Sequence, residues 1–214
     1  MPIDDFLKEK ALEEAIEEHL ITRGGYEKGN PKSFDREVAL DRDTLINFVK
    51  ATQPKKWERY CTIYGSSVEV NFIKRFSKEV NANGLLAVLR RGFKDRGIEF
   101  RVCYFKPETS INEETVKLYN QNILKCTRQL HYSLLNENSI DIVLFLNGIP
   151  VVSMELKCQF TGQTLHNAID QYKFDRAGKD AIFEFRNRVL VHFAVDLYEV
   201  YMTTRLNGSN TYFL

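Results

Sequence analysis

The stretch Ile140–Lys157, IDIVLFLNGIPVVSMELK, decides how the rest of the chain is read. Two apolar runs, Ile142–Leu146 and Val151–Met154, flank Asn147-Gly148-Ile149-Pro150. β-Branched and aromatic residues fill the runs, and an Asn-Gly pair sits between them, which predicts a β-hairpin. Asp141 opens the first strand, while Glu155 and Lys157 close the second and, two residues apart, share a face. Whether Asp141 joins them depends on the turn. A three-residue loop, Asn147–Ile149, pairs Leu146 with Pro150 and sets Asp141 opposite Glu155. A two-residue Asn147-Gly148 loop opposes Asp141 to Met154 and turns it to the other face. The odd loop, or a bulge equivalent to it, is what the chemistry requires.

Near-continuous hydrophobic strands imply a sheet covered on both faces, where an ionised carboxylate is costly unless it is paired or metal-bound. Two carboxylates facing each other across a hairpin repel, and a hard divalent cation relieves that repulsion. Mg²⁺ takes oxygen ligands, commonly one or two carboxylates with waters and phosphate oxygens. A lysine two residues past the second carboxylate can reach the attacking water or a scissile phosphate. The plainer alternative makes Glu155 and Lys157 a solvated strand end and Asp141 the exit from a loop.

These residues sit in a longer pattern. RQLHYS at Arg128–Ser133, NENSIDIVLFLNGIPV at Asn136–Val151 and ELK at Glu155–Lys157 form its centre. TGQ at Thr161–Gln163, AIDQYKFDR at Ala168–Arg176, LVHFAVD from Leu190 and EVYMTTRLNG ending at Gly208 follow. EEAIEEHLITRGGY at Glu13–Tyr26 and TQPKKW at Thr52–Trp57 precede it. The whole resembles the PD-(D/E)xK nucleases, and more narrowly the N-terminal domain of the restriction (R) subunit of type I restriction-modification enzymes. One departure is visible: Ile140 stands where the superfamily's name has proline.

The resemblance implies an α/β fold with a mixed central β-sheet flanked by helices. It implies a Mg²⁺ site on Asp141, Glu155 and the main-chain carbonyl of Leu156, with Lys157 as a catalytic residue. In many such nucleases a first-helix glutamate leans into the site; Glu17, or Glu13 one turn earlier on the same face, is the candidate. R subunits begin a Q-x-x-x-Y motif on the helix after the E-x-K strand. Gln171 fits that motif's glutamine, but Asp175 replaces the tyrosine, so the tyrosine's role does not transfer. The implied partners are double-stranded DNA and the methyltransferase and specificity subunits of a restriction-modification complex.

Composition sets limits. The 214 residues can bury one substantial core. A net charge of +1 gives no global basic surface, so any DNA contact has to come from a local patch or from other domains. Cys61, Cys103, Cys126 and Cys158 show no CxxC spacing and read as reduced thiols of a cytoplasmic protein. With no signal peptide or long apolar run, a soluble, non-membrane chain is expected.

In chain order, apolar residues at spacings of three and four predict a first helix over residues 3–22, stopped by Gly24-Gly25. Helices follow near Asp43–Ala51, around Trp57 and over Ser66–Arg91, with a possible break at Asn81–Gly84. Arg90-Arg91 reads as a solvated helix surface, with a phosphate contact as the alternative. A strand is expected through Phe100, Val102, Tyr104 and Phe105, then a short helix at Asn112–Tyr119. On the next strand, Ile123–Tyr132, Arg128 is a candidate backbone-phosphate contact, whereas His131, like His192, reads as a packed, hydrogen-bonded residue. Gln163–Arg176 predicts an amphipathic helix, and Leu190–Asp196 with Glu199–Thr204 a closing hairpin.

Residues 1–98 thus read as a mostly helical part and residues 99–214 as a catalytic sheet core of one nuclease domain. The abrupt apolar end at Thr211–Leu214 suggests a fragment of a longer chain. No G-x-x-x-x-G-K-[ST] sequence occurs, so ATP is expected only for translocase domains absent from this chain. The expectation is Mg²⁺-dependent DNA cleavage, as in a type I site-specific deoxyribonuclease, without sequence specificity of its own. Two alternatives remain: a catalytically silent nuclease fold docking a motor to its partners, and a glycoside hydrolase using Asp141 and Glu155.

Overall fold

The computed structural model describes residues 3–158, 164–176 and 180–214, with side chains from residue 9 onward. The first helix, α1, is Ile3–Arg23, and Gly24 and Gly25 follow it as the sequence predicts. Strand β1 (Glu27–Lys28) comes next, then a small ribbon of β2 (Phe34–Asp35) and β3 (Leu40–Asp41). The helical block is α2 (Arg42–Thr52), α3 (Pro54–Tyr64), α4 (Val68–Asn83) and α5 (Leu85–Arg91). Asp41 caps α2 by accepting from the Thr44 amide, and Gly84, at φ +83°, separates α4 from α5.

The strand expected through Phe105 is displaced. Phe93–Asp95 (β4) and Ile98–Phe100 (β5) form a hairpin instead, and residues 101–112 carry no regular structure. Arg96 and Gly97, both at positive φ, make its two-residue turn. Phe93 and Phe100 pair across it and pack with Phe72, Trp57 and Tyr60. Burial of those rings outweighs the period-two pattern further along.

Helix α6 (Glu113–Asn120) is capped by Asn112 and leads to β6 (Leu124–His131), β7 (Ser139–Leu146) and β8 (Ile149–Leu156). Helix α7 (Leu165–Asp170) runs into a π-helical turn, Gln171–Asp175, and β9 (Val191–Val195) and β10 (Val200–Thr203) close the chain. The expected helix start at Gln163, with Thr161 and Gly162, lies outside the described residues. Among the described residues one sheet has the order β1-β6-β7-β8-β9-β10. β1 with β6 and β8 with β9 are parallel and the other pairs antiparallel, so the sheet is mixed, as expected.

Leu12, Ile16 and Leu20 of α1 cover one face over Cys126, Ile142, Leu144 and Leu156. On the other face Tyr172, Ile182 and Phe183 cover Leu130, Val143 and Phe145. Both faces are therefore buried, which is why β7 and β8 read as unbroken apolar runs.

The hairpin turn resolves the register question. Leu146 pairs with Ile149 across a two-residue turn in which Asn147 and Gly148 have φ +52° and +82°. Phe145 pairs with Pro150, but Leu144 pairs with Val152, so Val151 is the extra residue of a β-bulge. The bulge restores the odd register: Ile142 pairs with Met154, the last pair of the ladder, with Asp141 and Glu155 the next residues on the two strands.

This turn is buried, unlike most hairpin tips. Asn147 is fully buried; its side-chain oxygen accepts from the Ile123 amide, and its amide group donates to the Val102 carbonyl and to Asn122. The Asp41 amide donates to the Gly148 carbonyl at 2.8 Å, and a Cβ on Gly148 would collide with the Asp41 carbonyl and the Leu45 amide. The tip of the hairpin is thus seated against the start of α2.

Candidate active site

At the opposite end of the hairpin the strands part. The β7–β8 ladder ends at Ile142–Met154, and the Leu156 amide donates to Asp141 Oδ2 at 2.7 Å. The aspartate side chain therefore bridges to the other strand's backbone, and its carboxylate lies beside the E-x-K segment. β8 is held from the other side by parallel pairing with β9, and the Lys157 amide donates to the Val195 carbonyl at 2.9 Å.

β6 is distorted at the same level. Leu130 pairs with Ile140 and Arg128 with Ile142, but Gln129 and Asp141 between them form no ladder pair, and Gln129 sits at φ +49°. Such a backbone is unusual for a non-glycine residue in a strand. It reverses the alternation: Cys126 packs towards α1, whereas Leu130 packs into the opposite face. Gln129 Nε2 donates to Glu13 Oε1 at 2.7 Å and to Asp141 Oδ1 at 3.2 Å, and Ser139 Oγ donates to Gln129 Oε1.

Asp141, Lys157, Gln171, Glu9, Glu13 and Gln129 line one cavity of about 370 Å³, together with Arg176. Glu155 lies fully buried beside it. Burial, then the neighbouring Asp141, pushes the Glu155 carboxyl up to about 8, against the pull of Arg176 and Lys157. Burial and Asp141 also raise the Glu13 carboxyl above its ordinary value. Lys157 Nζ is 3.7 Å from Glu9 Oε1.

Arg176 was not anticipated from the sequence. Its Nε and Nη2 stand 2.8 and 2.7 Å from Glu155 Oε1, Nη2 donates to the Ser139 carbonyl, and the guanidinium lies over the Tyr132 ring. The π-helical turn puts it there: the Arg176 amide donates to the Gln171 carbonyl, five residues back. A buried acid flanked by another acid calls for a cation, but nothing in AIDQYKFDR says which basic residue turns inward. Glu9, four residues before Glu13, was missed as well; that spacing on one helix face was the available signal.

The other expected residues fall as follows. Glu17 lies outside the cavity lining, 3.4 Å from Arg128 Nη1 and 3.2 Å from Lys28 Nζ, so Glu13 is the residue of that face which enters. Arg128, expected to face a phosphate, is instead enclosed by Glu13, Glu14 and Glu17 at 3.2, 3.5 and 3.4 Å. Gln171 lines the cavity, with a buried Oε1 that has no hydrogen-bond partner among the described residues. His192 is buried against Ser153 Oγ at 2.8 Å, and His131 Nδ1 is hydrogen-bonded to the Glu137 carbonyl. None of the four cysteines is joined in a disulfide.

Among the described residues no three His, Cys, Asp or Glu side chains stand grouped to hold a metal by themselves. The donor set is nonetheless one of hard oxygens. Glu155 Oε2 is buried with no hydrogen-bond partner among the described residues, while Asp141 contributes a second carboxylate nearby. An orphaned carboxylate oxygen costs free energy that a cation offsets, and Mg²⁺ completes such sets with water and phosphate oxygens.

The family described as the type I restriction enzyme R protein N terminus matches residues 6–211. The chain belongs to this family. The match takes in α1, the hairpin, the π-helical turn and β10, so the R-protein N-terminal domain includes both layers that meet at the cavity. No curated protein matches the chain. Among the described residues no helix is long and apolar enough to cross a membrane.

Proposed function

We propose that this chain is the DNA-cleaving domain of a type I restriction enzyme, a Mg²⁺-dependent endonuclease of the PD-(D/E)xK kind. One observation carries the reading. The Asp141 carboxylate, the orphaned Glu155 oxygen and the Lys157 amine gather where the two strands part, beside a cavity walled in part by α1 and the π-helical turn. Asp141, Glu155 and the Leu156 carbonyl would hold the cation, which when bound supplies water activation and neutralisation of charge on the phosphate.

The chain's own groups do the rest. Lys157 orients the attacking water and stabilises charge developing on the phosphoryl oxygens. Gln171 holds a water or a phosphate oxygen without adding charge. Gln129 keeps Asp141 and Glu13 apart while hydrogen-bonding both. Water attacks phosphorus in line with the departing 3′ oxygen and leaves a 5′ phosphate. Sequence choice would belong to the methyltransferase and specificity subunits of a cytoplasmic complex. ATP belongs to translocase domains elsewhere in the parent polypeptide.

A second reading has an observation in its favour. Arg176 already neutralises one oxygen of Glu155, as it would in a nuclease fold kept only for docking a motor to its partners. Calorimetric titration with Mg²⁺ or Mn²⁺ separates the two. The nuclease reading expects binding by the wild type and its loss in Asp141→Ala; a wild type that binds neither ion supports the docking module. In the full-length parent, Lys157→Ala is expected to abolish DNA cleavage and leave ATP hydrolysis intact.

A further inference from the structure

A second cleft, of about 680 Å³, lies between α5 and the segment before β9. Arg90, Arg91 and Arg186 line it, and its apolar wall includes Leu86 and Phe185, each 47% exposed. No carboxylate lines it among the described residues. Among the described residues Arg36, Arg42, Arg75, Arg128 and Arg176 sit in ion pairs, whereas others, Arg23, Arg59 and Arg101 among them, do not. Arg90, Arg91 and Arg186 form none among the described residues and are exposed.

The cleft is built rather than incidental. Arg186 takes a left-handed backbone, φ +71°, and the Leu85 amide donates to its carbonyl at 2.6 Å. Its guanidinium lies over Gly84, where a Cβ would come within 3.3 Å of Nε and Nη2. The missing side chain at residue 84 therefore makes room for the charge. Arg205 stands 5.1 Å over the Phe185 ring, adding positive charge at the edge.

We propose that this cleft binds a single strand of nucleic acid. Arg90, Arg91 and Arg186 take backbone phosphates, and an unstacked base lies against Phe185 and Leu86. Cationic side chains beside an exposed ring are the usual means of holding a single strand without reading its sequence. The apolar wall decides against a duplex, whose bases are inside and whose phosphates gain nothing from Phe185. An acidic peptide would satisfy the arginines but does not present a heteroaromatic ring at every unit of its chain, as a nucleic acid strand does. The Leu190 amide donates to the Val151 carbonyl. The cleft therefore lies near the Val151 end of β8, roughly 17 Å of strand from Leu156 at about 3.3 Å per residue. It is thus separate from the acidic cavity, and the proposal does not depend on the nuclease reading.

The test is fluorescence anisotropy of a short labelled DNA strand with the 214-residue chain, in EDTA so that no cleavage can occur. The wild type is expected to bind at low salt. Arg90→Glu/Arg91→Glu is expected to weaken binding at least about tenfold and to flatten the slope of log K against log salt by about 1.4. Phe185→Ala is expected to weaken binding by about fivefold or more. Lys117→Glu, on α6, serves as a charge-reversal control expected to change little. No binding by the wild type overturns the proposal. So does equal affinity for duplex with no effect of Phe185→Ala, or an equal loss in Lys117→Glu. Equal displacement of the strand by polyglutamate overturns it too.

Discussion

Arg176 grips Glu155 through a single carboxylate oxygen, Oε1, and leaves Oε2 with no hydrogen-bond partner among the described residues. The guanidinium is 3% exposed and the carboxylate fully buried, so neither charge has water to fall back on. This arrangement makes Glu155 both a fixed element of the fold and a donor with one oxygen to spare.

Removing the guanidinium should therefore be costly. In urea unfolding above pH 8, where Glu155 is ionised, Arg176→Ala leaves a buried carboxylate beside Asp141 with only Lys157 to offset it, and is expected to lower stability by about 3–5 kcal/mol. Glu155→Gln in the Arg176→Ala background should recover part of the loss. A loss below about 1 kcal/mol in the single variant would show that the pair does not compensate charge as described.

The raised Glu155 carboxyl predicts opposite pH trends for the protein alone and with a cation. Its folded pKa of about 8 exceeds the ordinary 4.5, so the folded state holds this proton more tightly than the unfolded chain. The resulting stability is present in full below 4.5 and is lost as pH rises through about 8. A cation held by Glu155, as proposed, would need the ionised carboxylate, so affinity should rise with pH up to that point, with protons released on binding. Titration calorimetry in two buffers of different ionisation enthalpy measures the release; identical heats in both would contradict it.

His192 gives the reverse sign. Burial lowers its imidazole from 6.5 to about 4, so the folded state disfavours the charged ring. Stability is complete above 6.5 and is lost as pH falls towards 4, by roughly 3 kcal/mol. Comparing thermal unfolding of wild type and His192→Gln across that range isolates the contribution. Parallel curves would mean the ring is solvated or already charged.

The buried turn offers a purely structural test. Gly148→Ala forces a side chain into a φ of +82° and against the Asp41 carbonyl, and is expected to cost at least about 2 kcal/mol. Asn147→Ala leaves the Val102 carbonyl and Ile123 amide without their partner and should cost roughly as much. Urea unfolding of each variant, with an unchanged m-value, checks both.

The hairpin and its charged ends were legible in the sequence because apolar runs, Asn-Gly and the E-x-K spacing are local signals. The register was not, since either turn length suits Asn147-Gly148, and only the bulge at Val151 pairs Ile142 with Met154, one step short of Asp141 and Glu155. The acidic face of α1 was legible as a run, but its rotation was not. The tertiary contacts send Glu13 and Glu9 into the cavity and Glu17 to Arg128 and Lys28. The glutamate partners of Arg128 were not legible for the same reason, because they lie more than a hundred residues away. Arg176 depends on one residue of π-helical pitch, which no propensity encodes. The strand expected at Phe100–Phe105 gave way to a hairpin because the aromatic cluster around Phe72 takes Phe93 and Phe100 together.

Seating Asn147 and Gly148 against α2 and residues 101–123 ties the turn of β7 and β8 to the helical block, with the acids at the far end of the same two strands. A tug on the helical block would travel along two stiff strands and arrive as a change in spacing between Asp141 and Glu155. Loosening that tie, with every acid left intact, should blur the working end.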